Sequence, residues 1–475
     1  MKIAIKHGIM PAMKAYPFCK QPYLLKRRFT NTAPAWLSLR AQPRNAGQQA
    51  NRFGFWLLVN SIVWLGLVAC QSAEPPAVPS VATVSTAITP PMSNGEATGV
   101  ITNGDRQLVV WTPEFFQPPD TTPVAVLADV YEQFRLDHPG VHLDLQIKVE
   151  TGDSSLFNYL RYAQSMAPTL LPDVVLLDTE QLWQAAELGL IQAVDWQSLP
   201  DAPDFFPFAR AASLYQENIL GMPYSADIIH LVYHADQIEQ APLTWAELTT
   251  SGTPYLFAAG KREHPNESLL LQYVGAGGQL LENGTVNDPD ALTALFTFVA
   301  QAKRQGILAS SIVEIRSLDI AWSTFDAAYP GFADTSARLV LARRQTQDPL
   351  GFAPIPTASG TPLTIARTWV FAVITPDVQQ QQLALDLIGQ LLDPAVHSAW
   401  SRSTQQLPTQ TTAYLATVEA SPYTDFLQRQ LDVAIAIPNG RPFADFAKRL
   451  QQAQESVLLD QLTVEDAVTF VQTAP

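Results

Sequence analysis

Gln216–Asp236, QENILGMPYSADIIHLVYHAD, lies in the middle of the foldable part of the chain and changes its character there. Gly221 and Pro223 punctuate a turn. After Asp227 the apolar, β-branched run Ile228, Ile229, Leu231, Val232 and Tyr233 reads as a buried strand. Segments with core material of their own flank this stretch, so it reads as a crossing between two lobes, with Tyr224 beside the cleft. Clefts between lobes are where ligands usually bind. At 475 residues the chain exceeds what one hydrophobic core supports, which agrees with two lobes.

Upstream of the crossing the pattern alternates strand and helix. LVVW (residues 108–111) reads as a strand. Thr122 and Pro123 open a helix with Val124, Leu127, Tyr131 and Phe134 at helical spacing, which His138-Pro139-Gly140 stops. VHLDLQIKV (141–149) alternates apolar and polar as a half-buried strand does. A helix over 154–167, the buried strand PDVVLLD (172–178) and a helix over 179–188 ending at Gly189 complete an open α/β sheet. Functional loops in such sheets follow the carboxyl ends of strands, here 112–116 and 178–181.

Downstream, Thr244-Trp-Ala-Glu247 has the form of a capping box. A helix is expected over 269–281 around Gly275, Gly277 and Gly278. Asp288-Pro289 opens another with Leu292, Leu295, Phe296, Val299 and Ala302 on one face, closed by Gly306. AWSTFDAAYPGF (321–332) concentrates aromatic residues, and GFAPIPTASGTP (351–362) is a Pro- and Gly-rich connection suited to a return crossing. RTWVFAVIT (367–375) is a strand, and the remainder is largely helical, with a cap at Thr463.

The first 69 residues carry ten Lys and Arg and no acid, leaving 19 basic against 44 acidic side chains in the remainder. That balance argues against nucleic acid or an anionic lipid surface as the partner of the folded part. Both cysteines, Cys19 and Cys70, precede the foldable region, so it has neither a disulfide framework nor a cysteine zinc site. Arg52, the apolar run Phe53–Ala69 and Leu67-Val68-Ala69-Cys70 form a secretory pattern that resembles a bacterial lipobox. The resemblance implies acylation of Cys70 and a stable lipid anchor; an uncleaved spanning helix is the alternative. Residues 71–104 are rich in Pro, Ser, Thr and Ala and read as a disordered tether with a reach of about 30 Å.

Taken in order, LVVW, FRLDHPGVHLDL, PDVVLLDTEQLWQAAELGLIQAVD, ILGMPYSADIIHLVYHAD, TWAEL, GGQLLENGTVNDPDALTALFTFVAQAKRQGIL, GFAPIPT, QLALDLIGQLLDPAVHSAW, QQLP and TVEDAV resemble the family 1 extracellular solute-binding proteins, the sugar-type receptors of ABC importers. The resemblance runs over nearly all of 107–470. It implies a two-lobed periplasmic-binding-protein-like α/β fold with hinge crossings and a central ligand cleft. One lobe would comprise 105–228 and 366–410, the other 232–360 and 412–475, after a leader (1–69) and a lipidated tether (70–104). It further implies a lipid-anchored, extracytoplasmic monomer that hands a small solute, a sugar or oligosaccharide, to the permease subunits of an ABC transporter, with no cofactor and no metal. Ligand contacts carried over are Trp111, Glu114, Phe115, Asp178, Glu180, Tyr224, Trp322, Tyr329 and Trp369. Arg367-Thr368-Trp369 stands where relatives often have small residues, and AAYPGFADTS replaces the usual stretch before it, so the ligand does not carry over directly.

Sugars present hydroxyl groups and apolar C–H faces, which carboxylates and aromatic planes respectively recognise. Arg367 beside Trp369 could instead serve an anionic solute. The alternative from another class is a secreted lipoprotein enzyme acting on glycans, although no spacing among the acids marks a catalytic pair. His230 and His234 are four apart, but in a β-branched run, and read as structural rather than zinc ligands. Asn266-Glu-Ser matches a glycosylation acceptor.

Overall fold

A computed structural model describes residues 106–473, apart from 119–121, 197–202, 261–265, 282, 285–287, 328, 344–348 and 418–419. Cys70, the leader and the tether lie outside the described residues. Ten strands form one mixed sheet, whose main path runs Val141–Lys148, Arg106–Pro113, Val174–Asp178, Thr364–Val373, Met222–His234, Phe332–Ser336, Tyr255–Leu256.

The first three strands are parallel and Thr364–Val373 joins them antiparallel. Period-2 alternation sorts their side chains onto two faces. Leu108, Val110, Val174, Leu176, Phe371 and Val373 join one core with the helix Thr122–Asp137. Trp111, Val175, Leu177, Val370 and Ala372 join another with Leu156, Leu160 and Leu182 on the opposite face.

Met222–His234 is longer than expected, a single strand of 13 residues. Its first half carries Met222, Tyr224, Ala226 and Ile228 into the first core, and its second half carries Ile229, Leu231 and Val232 into a separate core. The switch falls between Ile228 and Ile229. Its sheet partners change there too, from Thr364–Val373 to Phe332–Ser336 and Leu350–Ala353. Gly221 sits where the strand begins because a Cβ there would meet the Phe371 carbonyl oxygen at 2.2 Å.

The second core is built on the amphipathic helix Pro289–Arg304, with Leu292, Leu295, Phe296 and Val299 inward, and on Phe443, Phe446, Leu450 and Val457 of Arg441–Leu458. The Thr244–Glu247 capping box forms as read, and Thr463 caps the last helix by accepting from the Asp466 N–H. The helix expected over 269–281 runs only Glu267–Gly275, since Gly277 adopts φ +98°, which a right-handed helix does not admit. The return crossing is not the Pro/Gly connection 351–362 but the strand Thr364–Val373, antiparallel to Met222–His234. Residues 412–475 do not pack as one block: Tyr414, Phe426, Leu427 and Leu431 join the first core. Leu407–Pro408 pairs with Ala226 and Ser225, which delivers the helices that follow to that side.

Candidate ligand-binding cleft

The two long strands set Ala366 opposite Ile228 and Arg367 opposite Asp227, the level at which the chain passes from one core to the other. Directly opposed residues of an antiparallel pair share a face. Two adjoining cavities open here. The larger, about 590 Å³, takes Phe115 and Trp369 from the first core's side, Leu318 and Asp319 from the second, and Asp227 and Arg367 from the strands. That volume falls within the ordinary range of small-molecule sites. A smaller recess is lined by Asp178, Glu180 and Trp183, faced by Asn439 and Phe443. Arg367 and Glu267 line both.

Asp178, 3% exposed, does two jobs. One oxygen caps the helix Thr179–Glu187 by accepting from the Gln181 N–H at 2.8 Å, and the other accepts from the Arg367 guanidinium at 2.7 Å. Burial works against the Arg367 charge, but Asp178 and Glu267 more than offset it and hold the guanidinium above its ordinary range. The same guanidinium lies 5.2 Å from the centre of the Trp369 ring, which meets Phe115 edge-on at 5.1 Å. Burial pushes the Asp227 carboxyl up, an effect that the Arg338 guanidinium at 3.9 Å and its N–H, donating at 3.1 Å, only partly reverse. Arg338 also pairs with Asp319 at 3.1 Å. Both arginines of the cleft are therefore matched to carboxylates, which removes the basis for reading Arg367 as a free anion receptor.

The nine contacts carried over from sequence fall in different places. Phe115 and Trp369 line the larger cavity, and Asp178 and Glu180 line the recess. Tyr224 does not reach the cleft. It is fully buried, its ring stacked on His397 at 4.4 Å and packed against Phe116, Phe371 and Trp400. Trp111 is also a core residue, 5% exposed, with the Lys148 ammonium 4.8 Å from its ring centre. Glu114 is exposed at the start of a short 3-10 turn and lines neither cavity. Trp322 and Tyr329 pack against the second core; burial pushes the Tyr329 hydroxyl up to about 12. Only the first turn of the helix that bears Trp322, at Leu318 and Asp319, reaches the cleft.

Sequence reasoning missed Glu150, Asp227, Glu267, Asp319, Arg338 and Thr404–Gln406 as cleft-lining residues. Several stand at the first turn of a helix, where acids are expected for dipole reasons alone, so nothing local distinguished them. Asn266 is a buried helix cap accepting from the Leu269 N–H at 3.1 Å and donating to Gln451 at 2.9 Å, which leaves it no room for a glycan. His230 bonds the Tyr423 hydroxyl at 2.8 Å, and His234 stacks on Phe325 at 4.5 Å. Among the described residues no group of three or more His, Cys, Asp or Glu could hold a metal ion, and no helix is long and apolar enough to cross a membrane.

A family model of the bacterial extracellular solute-binding proteins matches residues 130–426. No curated protein matches the chain. Solved structures do. Maltose-bound MalE3 of T. maritima is 19% identical with a TM-score of 0.60, covering 77% of this chain and 98% of that one. The cyclic alpha-maltosyl-1,6-maltose binding protein of Arthrobacter globiformis is 18% identical with a TM-score of 0.63, covering 78% and 97%. The sugar-binding protein MalE of Xanthomonas citri is 19% identical with a TM-score of 0.63, covering 77% and 95%. The fold is thus the two-lobed α/β fold of periplasmic binding proteins.

Proposed function

We propose, from the premise that this chain belongs to the bacterial extracellular solute-binding protein family, that it is a sugar receptor of an ABC importer that closes two lobes on its ligand. The observation that carries the reading is the cavity of about 590 Å³ lined from both cores and by both long strands. A hinge at residues 228–229 and 365–367 lets the walls approach one another, and ligand shifts the balance towards the closed state by binding it more tightly. Carboxylates of the lining accept from sugar hydroxyls, while Phe115 and Trp369 offer apolar surface to C–H faces. The receptor makes and breaks no bond, and hands its solute to permease subunits.

On this reading one lobe comprises 105–228 and 366–432 and the other 232–360 and 437–475, and Cys70 carries the lipid that holds the protein at the membrane. Replacing Cys70 by Ser releases the protein from membranes; tight association that survives the change sinks the anchor. The receptor reading is tested by thermal unfolding of the full-length protein with a panel of sugars and oligosaccharides, with product analysis of each mixture. A ligand at 100 times its Kd stabilises by about 2.7 kcal/mol, enough to move the midpoint. A shift without product supports a receptor, whereas a cleaved oligosaccharide makes the protein an enzyme.

A further inference from the structure

Asn439 sits where the chain leaves the strand Ala434–Ala436, paired with Thr364–Ala366, for the helix Arg441–Leu458. Gly440, at φ +115°, makes the turn. The Asn439 side chain is 4% exposed and lines the smaller recess of the cleft. Its Nδ2 donates to the Leu214 carbonyl at 3.0 Å, which fixes the way round of the amide, since the reverse would set oxygen against oxygen. The other atom, Oδ1, is buried and has no hydrogen-bond partner among the described residues. A buried acceptor without a donor is costly, and a folded protein leaves few of them. The carboxylates of the recess are engaged elsewhere: Asp178 accepts from Gln181 and Arg367, Glu180 from the Gln184 amide at 3.4 Å, and Glu267 interacts with the Arg367 charge. Asn439 Oδ1 is thus the acceptor in this recess that still wants a donor.

The recess has a volume of about 40 Å³. A single water needs about 10–15 Å³, so the space takes a substituent of about two or three atoms and not a sugar ring. The rings belong in the adjoining cavity of about 590 Å³, which shares Arg367 and Glu267 with the recess. Much of the recess wall is apolar, with Trp183 at 7% and Phe443 at 1% exposure beside Ile437, Pro438 and Ala444. A short group with an apolar stem and a donor at its tip suits such a space. Resting on the sugar-receptor reading above, we propose that the recess is a subsite for one free hydroxymethyl group of a hexose ring, its methylene against Trp183 and Phe443 and its hydroxyl donating to Asn439 Oδ1. The solute is then a hexose, or an oligosaccharide with a hexose that carries its exocyclic hydroxyl unsubstituted. A 6-deoxyhexose sets a methyl group against the oxygen, and a pentopyranose sets nothing there. A uronate brings acceptors only. An ether, a phosphate ester or a glycosidic bond at the exocyclic oxygen removes the proton and overfills the recess. Each of these leaves a buried polar atom unpaired, which is how a site built for a hydroxyl rejects analogues that lack it.

The test is calorimetric titration of the full-length protein in detergent with disaccharides of glucose, galactose and mannose, each beside counterparts that are 6-deoxy, 6-O-methyl or uronic at one ring or the other, and with xylobiose. The best-bound hexose disaccharide is expected to exceed its 6-deoxy, 6-O-methyl and uronic counterparts, modified at one particular ring, and xylobiose by about tenfold or more, the size of effect that an unpaired buried acceptor produces. In Asn439→Ala the margin over the 6-deoxy counterpart is expected to fall below about twofold. That change also removes the bond to Leu214, so Ala444→Leu, which fills the recess and keeps Asn439, serves should the first variant not fold; it is expected to erase the margin over xylobiose. Equal binding of the 6-deoxy counterparts at both rings overturns the hydroxymethyl subsite and leaves the sugar receptor standing. Equal or tighter binding of the uronic or 6-O-methyl counterparts overturns the requirement for a donor. Margins unchanged in the folded variants overturn the assignment to this recess. Silence to every sugar overturns the receptor reading and the subsite with it.

Discussion

Arg367 holds the cleft together at the scale of single atoms. Its guanidinium bonds Asp178, lies beside Trp369 and faces Glu267 across the gap between the cores. Removing it deprives the Asp178 carboxylate, 3% exposed in the intact protein, of its guanidinium partner. Arg367→Ala is therefore expected to cost about 2 kcal/mol in denaturant unfolding, since breaking the part-buried pair strands the buried Asp178 charge while the Arg367 side chain itself is 30% exposed. The double variant Arg367→Ala/Asp178→Ala is expected to cost less than the sum of the single changes, and strict additivity would show the pair to be uncoupled. Tyr224 gives the opposite lesson. Its hydroxyl has no hydrogen-bond partner inside the first core, so Tyr224→Phe is expected to leave stability within about 1 kcal/mol and ligand affinity unchanged. A loss of affinity on that change would place the residue back in the site. The signal that assigns it inward was legible: Met222, Tyr224, Ala226 and Ile228 alternate as one face of a strand. Proximity to the crossing outweighed that alternation in the reading from sequence.

Strands and helices with strong periodicity were the most legible elements. Val174–Asp178 and Pro289–Arg304 follow directly from a continuous apolar run and a helical stripe. Which core a helix joins was not legible, because Pro422–Asp432 carries an apolar stripe that fits either side, and strand pairing at Leu407–Pro408 decides the matter. Buried titratable groups now tie these elements to pH. Burial lowers His230 and His397 to about 4, below the ordinary value, so both are neutral in the fold at neutral pH. Their contribution is complete above about pH 6.5 and is lost as pH falls through 4, since the unfolded chain takes up protons first. Asp334 has the opposite sign. Burial, partly countered by the Tyr255 hydroxyl donating at 2.7 Å, raises it to about 7. Its contribution is complete below about pH 4 and is lost as pH rises to 7. Urea unfolding of Asp334→Asn against the parent at pH 4, 5, 6 and 7 is expected to show the variant gaining progressively, by up to about 4 kcal/mol at pH 7. A difference that does not change with pH would mean Asp334 is ionised in the folded protein at every pH measured.

Across the whole molecule, two antiparallel strands pass between cores and place carboxylates, two matched arginines and a little aromatic surface around one cavity. The two-lobed architecture was visible in the order of short segments, because each lobe repeats a pattern of strand and helix that composition and periodicity report. The cleft lining was not, because its residues come from segments as far apart as Phe115 and Gln406, 291 positions, and meet only through the sheet. On the proposed receptor reading, the protein binds one solute per molecule and releases it unchanged. The most direct measurement is calorimetric titration of the full-length protein and of Arg367→Ala with the solute that the thermal panel identifies, with the recovered ligand analysed afterwards. The account predicts saturable one-to-one binding by the parent, intact ligand on recovery, and affinity reduced about tenfold or more in a variant that still unfolds cooperatively. Undiminished affinity in the folded variant, or a ligand recovered as cleavage products, would contradict it.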